Sequence, residues 1–203
     1  MIELHHLNSS RSRRITWLLE ELGVEYTVVR HERDPQTRLA PPTLLAIHPL
    51  GKAPVLRDND TTIIESGAIV DYLIRHYGAG RFMPAPHSPE YERYVQLLHY
   101  AEGSAALPLL LKLYVGRLGD AAAPLNPRIE SEIQNHIGWL DSQIAGCDYF
   151  VGNALTGADF QLIFIAQIAL LFQGPQAFPN LAQYVARLEA RPAYARAIMR
   201  HGA

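Results

Sequence analysis

Three short stretches of this chain carry residues fit to hold a small charged ligand and to act on it. The first is Ala53-Pro54-Val55-Leu56. Proline has no N–H to give to a ladder, so Pro54 belongs at the first residue of a strand. A cis Ala53-Pro54 bond turns the adjoining carbonyl and amide outward, where they can pair with a peptide-like ligand as an added strand does. The second is Glu65-Ser66, read as the opening of a helix. The first N–H groups of a helix lack partners within it and suit a ligand carboxylate, while the Glu65 carboxylate suits an ammonium. These are the parts needed to hold a small zwitterionic peptide. The third is Asn8-Ser9-Ser10-Arg11-Ser12-Arg13-Arg14, a turn ahead of another helix. A hydroxyl beside the positive end of that helix can donate to a thiolate and favour its charged form. A serine before a helix can equally be a plain N-cap.

The elements that position these residues follow from periodicity. Ile2, Leu4 and His6 share one face of a first strand. Ile15, Leu18, Leu19 and Leu22 make an i, i+3, i+4, i+7 helix stripe that Gly23 stops. Tyr26 to Val29 is a second strand rich in β-branched residues. Val55 to Arg57 and Thr61 to Ile64 are two more strands around the turn Asp58-Asn59-Asp60. The order β-α-β, irregular helix, β-β, helix is that of a thioredoxin-like α+β domain over residues 1–78. Gly78, Gly80, Pro84, Pro86 and Pro89 then mark 79–89 as a linker. Only helical patterns follow, so residues 90–203 read as an all-α domain. A long helix over 90–118 meets Pro108, which should kink it or end it. Arg128 to Ile144 carries a stripe of Ile129, Ile133, Ile137 and Leu140. Thr156-x-x-Asp159 is a capping box ahead of an apolar run, and 181–190 and 193–200 complete the helices.

Composition excludes several classes. Residues 1–80 carry nine Lys/Arg against ten Asp/Glu, and residues 81–203 carry the same nine against ten. Neither half has the excess of a nucleic-acid binder. The apolar run Phe160 to Phe172 is too short to span a bilayer, and no basic, apolar leader opens the chain. The single cysteine, Cys147, cannot form an internal disulfide and fits a reducing compartment. A cytoplasmic protein is expected. His5 and His6 are adjacent on a strand and point to opposite faces, so they do not chelate together. No metal is expected.

The sequence resembles the cytosolic glutathione transferases, most closely their serine-type bacterial and fungal branches. The resemblance rests on Pro54, Val55 and Glu65-Ser66. It extends through Ile2 to Leu7, the Ser-rich turn, Ile15 to Gly23 and Leu155 to Phe160, and covers almost the whole chain. It implies a cis Pro54, a Val55 backbone paired with the cysteine of glutathione, and a γ-glutamyl end gripped by Glu65 and Ser66. It implies that Ser9, counted back from Ile15, activates the glutathione sulfur, with Ser10 as competitor. Lys52 is then placed for the glycyl carboxylate, although a lysine there can equally be solvated, and Arg11 is a looser candidate for the same anion. Tyr100, Glu102 and Tyr114 are candidates for the pocket of a small hydrophobic electrophile, with plain packing as the alternative. The implied protein is a detoxifying homodimer that uses glutathione as co-substrate without a further cofactor. In that dimer the first domain of one subunit meets the long helices of the other. Two other functions stay open: glutathione-dependent reduction of disulfides or peroxides, and a non-catalytic binding module.

Overall fold

The computed structural model describes residues 1–201, with side chains through residue 200. Its contacts group into two compact units: residues 1–81 with those from Glu189 onward, and residues 82–188.

The first unit is built on a four-stranded mixed sheet of β1 (Ile2–Leu7), β2 (Tyr26–His31), β3 (Val55–Asp58) and β4 (Thr61–Ile63), in the order β2-β1-β3-β4. β1 runs parallel to β2 and antiparallel to β3, which pairs antiparallel with β4. Two parallel neighbours need a crossover, and α1 (Ser12–Leu22) supplies it. The expected stripe Ile15, Leu18, Leu19 and Leu22 is buried. Gly23 ends the helix at φ +72° with its N–H on Leu19 O at 3.1 Å, a left-handed position that favours glycine. Asn59, at φ +51°, makes the β3–β4 turn. Its short amide side chain tolerates that region. A short α2 (Pro42–Leu45) precedes β3, and α3 (Ser66–Tyr77) follows β4.

The second unit is helical. α4 (Pro89–Tyr100) leads through a π-helical turn (Ala101–Ala105) into α5 (Ala106–Val115) and a 3-10 segment (Gly116–Ala122). The break expected at Pro108 thus falls a turn earlier. The proline has no N–H for Ser104 O, and its ring crowds that carbonyl. The backbone widens just before it, where the Ala106 N–H reaches Ala101 O, five residues back. Then come α6 (Asn126–Ile144), α7 (Gly157–Gln173) and α8 (Pro179–Glu189). The capping box is formed: Asp159 Oδ2 accepts the Thr156 N–H at 2.9 Å. α7 buries Phe160, Leu162, Ile163, Ile165 and Ala166. No helix among the described residues is long and apolar enough to cross a membrane.

α9 (Pro192–His201) packs with the first unit, not with the helical half to which its sequence position assigned it. It buries Ala193 and Ala197, and Tyr194 meets Trp17 of α1 edge to face at 5.6 Å. Arg191 grips both oxygens of Glu21 at 2.6 and 3.0 Å. Arg196 and Arg200 reach Glu20 at 2.8 and 3.2 Å. Two adjacent carboxylates on α1 thus meet guanidinium groups on the last helix and on the residue just before it.

Candidate functional site

Strand register brings the candidate residues of the first unit to one end of its sheet. β1 runs toward Leu7 and the serine turn. His5 pairs with Val55, so β3 begins at that same end. Leu56 pairs with Ile63, so β4 finishes there, and Glu65 follows at once. α1 and α3 both start from that end, which brings their positive dipole ends to it.

The Ala53-Pro54 bond is cis. Pro54 and Val55 are buried, and Lys52 is exposed. The β4 ladder starts at Leu56, which leaves Val55 outside it. Glu65 sits at φ +66° and ψ 116° immediately before α3, and its carbonyl takes the Ile69 N–H at 2.9 Å. A non-glycine residue at positive φ costs on the order of 1–3 kcal/mol and persists only where its surroundings fix it. The Glu65 side chain is exposed, whereas Ser66 is 3% exposed.

The serine turn separates its members. Ser9, at φ +53°, is exposed. Ser10 is 6% exposed and turned inward. Its Oγ accepts the Ser12 N–H at 3.3 Å and lies 2.7 Å from Ser12 Oγ, which in turn lies 2.6 Å from His6 Nδ1. On the other side of Ser9, Asn8 is clamped. Its N–H donates to His31 O at 3.3 Å. Its Oδ1 accepts the Arg33 N–H at 2.9 Å, and its carbonyl accepts Arg33 Nε–H at 3.1 Å. Arg11, half-buried, occupies the cap position of α1 without a side-chain capping bond.

The two adjacent histidines serve different neighbours. Burial, with the charges of Arg13, Arg30 and His31, brings the His6 imidazole down to about 4. His5 is lowered by burial, against the Glu3 carboxylate, whose Oε1 lies 2.9 Å from His5 Nε2. His5 Nδ1 is 3.1 Å from His31 Nε2, and His31 Nδ1 is 3.0 Å from Thr43 Oγ1 on α2. Burial lowers His31 as well. Among the described residues, no group of three or more His, Cys, Asp or Glu is arranged to hold a metal ion.

In the second unit, Tyr100 lies 2.8 Å from His136 Nδ1 and packs edge-on against Trp139. Burial pushes its phenol up to about 12. Glu102 is half-buried, while Tyr114 and Cys147 are exposed. Sequence reasoning passed over Asn8, Arg33, Ser12 and the inward role of His6. Their partners are chosen by strand pairing and helix placement, so no local pattern announces them.

Residues 4–81 match the family model described as Glutathione S-transferase, N-terminal domain, and residues 105–192 match Glutathione S-transferase, C-terminal domain. Glutathione S-transferase 3 of Schizosaccharomyces pombe is 34% identical over 95% of this chain and 85% of its own. A crystal structure of a glutathione S-transferase from Actinobacillus pleuropneumoniae is 36% identical, with a TM-score of 0.88 over 99% of this chain and 93% of that one. A sphingomonad glutathione S-transferase, complexed with glutathione, is 26% identical, with a TM-score of 0.79 over 98% of each chain. Matched along both halves by that family's models and by relatives of nearly its full length, the chain belongs to the glutathione S-transferases.

Proposed function

We propose that this enzyme binds glutathione at the described end of the sheet and transfers its thiolate to a small hydrophobic electrophile. The observation that carries the reading is the common placement of the Ser9 turn, Val55 and Glu65-Ser66 by strand register. The sphingomonad relative was solved with glutathione. Val55 pairs through its backbone with the cysteinyl residue of glutathione. Glu65 takes the ammonium, Ser66 and the first amides of α3 take the γ-glutamyl carboxylate, and Lys52 with Arg11 serves the glycyl carboxylate. Ser9 donates its hydroxyl to the sulfur, because it is the exposed serine while Ser10 is held inward. Glutathione is the co-substrate and no other cofactor takes part. The protein works in the cytoplasm as a homodimer, with a sedimentation mass of twice 22.7 kDa.

Magnitudes limit what Ser9 does. A free thiol with a pKa of about 8.5 is roughly 3% ionised at pH 7. Lowering that pKa by about two units takes about 2.7 kcal/mol and raises the thiolate fraction roughly 25-fold. With a Brønsted slope of about 0.4–0.5, nucleophilicity falls roughly 8-fold, leaving a net gain of about 3-fold. Holding thiolate and electrophile in register must supply the larger part of the rate.

The experiment is a pH profile of Ser9→Ala with a chlorinated nitroarene as electrophile. A hydrogen bond to a charged group contributes about 1.5–3 kcal/mol, so the apparent thiol pKa should rise by about 1–2 units, while kcat near neutral pH should fall only about 3-fold, since the less stabilised thiolate is the better nucleophile. The loss should shrink as pH rises and the thiolate forms unaided. If Ser10→Ala shows that pattern and Ser9→Ala does not, the assignment of the two serines is reversed. If neither alters the apparent thiol pKa, hydroxyl activation is wrong.

A further inference from the structure

We propose that His6 is a positioning residue for thiol activation: through Ser12 and Ser10 it locks the inner half of the turn, so that Ser9 is the serine presented to the ligand. This rests on the glutathione reading above. His6 lies on the central strand β1 and Ser12 is the first residue of α1. The hydrogen-bond chain from His6 Nδ1 to Ser12 Oγ (2.6 Å) and on to Ser10 Oγ (2.7 Å) therefore ties strand to helix across the turn. Its three members are 5%, 0% and 6% exposed, so water does not compete for these bonds. A second tie anchors the chain at its far end, where the Ser12 N–H donates to Ser10 Oγ.

Ser9 needs such support. An L-residue stays at positive φ only when its neighbours fix it there, and Ser9 sits at φ +53°. Upstream, Asn8 is held by Arg33. Downstream, only the His6–Ser12 chain grips the Ser10 side chain among the described residues. A neutral imidazole offers one donor and one acceptor, so with Nδ1 as the acceptor the Ser12 hydroxyl donates to it and the Ser10 hydroxyl donates to Ser12 Oγ. His6 does not take the thiol's proton. Its imidazole, held at about 4, is a weaker base than a thiolate of pKa about 8.5 by a factor of roughly ten thousand or more.

The test reads the pKa of bound glutathione from the ultraviolet absorbance of its thiolate. The proteins compared are the wild type, His6→Phe, His6→Asn, Ser12→Ala, Ser9→Ala and the Ser9→Ala/His6→Phe double variant. His6→Phe should raise the thiol pKa by at least about half of the Ser9→Ala shift, with glutathione affinity changed less than about threefold. His6→Asn keeps a polar atom near the position of Nδ1 and should restore most of the shift. In the Ser9→Ala background His6→Phe should add nothing, since two residues acting through one hydroxyl are not additive. A merely structural histidine would lower thermal stability and leave the thiol pKa alone. The proposal is overturned if His6→Phe leaves the thiol pKa at the wild-type value, or shifts it equally with Ser9 absent. Should His6→Phe not fold, Ser12→Ala decides, and an unchanged thiol pKa there overturns the proposal as well. A wild type that binds no glutathione, or leaves its thiol unshifted, defeats the functional reading itself, before any His6 variant is compared.

Discussion

Removing the carboxylate of Asp159 should strongly destabilise the helical unit. Asp159 is fully buried and accepts four hydrogen bonds. They come from the Phe150 N–H (3.1 Å), the Thr156 N–H (2.9 Å), the Thr156 hydroxyl (3.1 Å) and the Tyr184 hydroxyl (3.1 Å). The Thr156 hydroxyl can rotate to another acceptor. The Tyr184 hydroxyl keeps Asp159 O within 3.5 Å, but the Phe150 and Thr156 N–H groups, in residues no more than 5% exposed, lose their acceptor, and each buried orphan costs about 1–3 kcal/mol. Neighbouring losses overlap, so Asp159→Ala should cost about 3 kcal/mol, against a total stability of roughly 5–15 kcal/mol for a domain. Asp159→Asn keeps the shape and one oxygen and should fall between. Burial raises the carboxyl to about 6 in the folded chain, from an ordinary 3.8. The native state therefore binds more protons between those values, and the wild type gains stability from this group as pH falls through 6. From pH 7 to pH 5 the gain is about 1 kcal/mol, and Asp159→Asn lacks it. The assay is urea unfolding followed by Trp139 fluorescence in a Trp17→Phe background, since these are the chain's two tryptophans, one in each unit. An Asp159→Ala protein within 1 kcal/mol of its parent, by the rule that buried orphans are expensive, would refute this reasoning.

Glu65→Gln should weaken glutathione binding about tenfold by titration calorimetry, the low end for a charged hydrogen bond at an exposed site. It should leave the bound thiol pKa in place, and a large pKa change would move Glu65 from binding to activation. Lys52→Ala should raise the Kd for glutathione only about two- to fivefold, because exposed ion pairs contribute about 0–1 kcal/mol. That difference should vanish near 1 M salt, where the Debye length is about 3 Å; a salt-independent loss contradicts a charge contact. The first unit should lose stability in mild acid. The folded pKa of His6, about 4, lies below its ordinary 6.5, so the unfolded chain binds more protons between them. That contribution is complete above pH 6.5 and is lost as pH falls toward 4. His6 alone removes on the order of 2 kcal/mol between pH 7 and pH 5, and the lowered His5 and His31 act in the same direction. Unfolding followed by Trp17 fluorescence should show this acid slope reduced in His6→Phe, and an unchanged slope assigns it elsewhere.

The legible part of the site lies where a residue type carries its own backbone rule. Pro54 must start a strand, and Glu65-Ser66 follows a hairpin and opens a helix, so both could be placed from local pattern alone. The two serines could not be told apart that way. Adjacent hydroxyls in a turn look alike until a strand histidine and the first helical residue draw one of them inward. The helix break was legible from Pro108 but not its position, because the carbonyl that proline crowds belongs to a residue four earlier. The final helix was misassigned for a different reason. Its partners, Glu20 and Glu21, stand about 170 residues away in sequence, as the Glu21–Arg191 pair shows. No periodicity within either segment points to the other.

That last packing makes the first unit a discontinuous domain, with consequences for how the chain folds. On α1, Glu20 already accepts the Tyr26 hydroxyl at 2.7 Å, but Trp17, Glu20 and Glu21 gain Tyr194 and the arginines only once residues beyond Glu189 have been synthesised. A nascent chain therefore completes the second unit's sequence before it can close the first, reversing the usual N-terminal-first order. Closing so long a loop is entropically slow, although each doubling of length adds only about 0.6 kcal/mol. A fragment ending near Arg81 lacks these contacts, so this unit depends on a helix that follows the whole second unit in sequence.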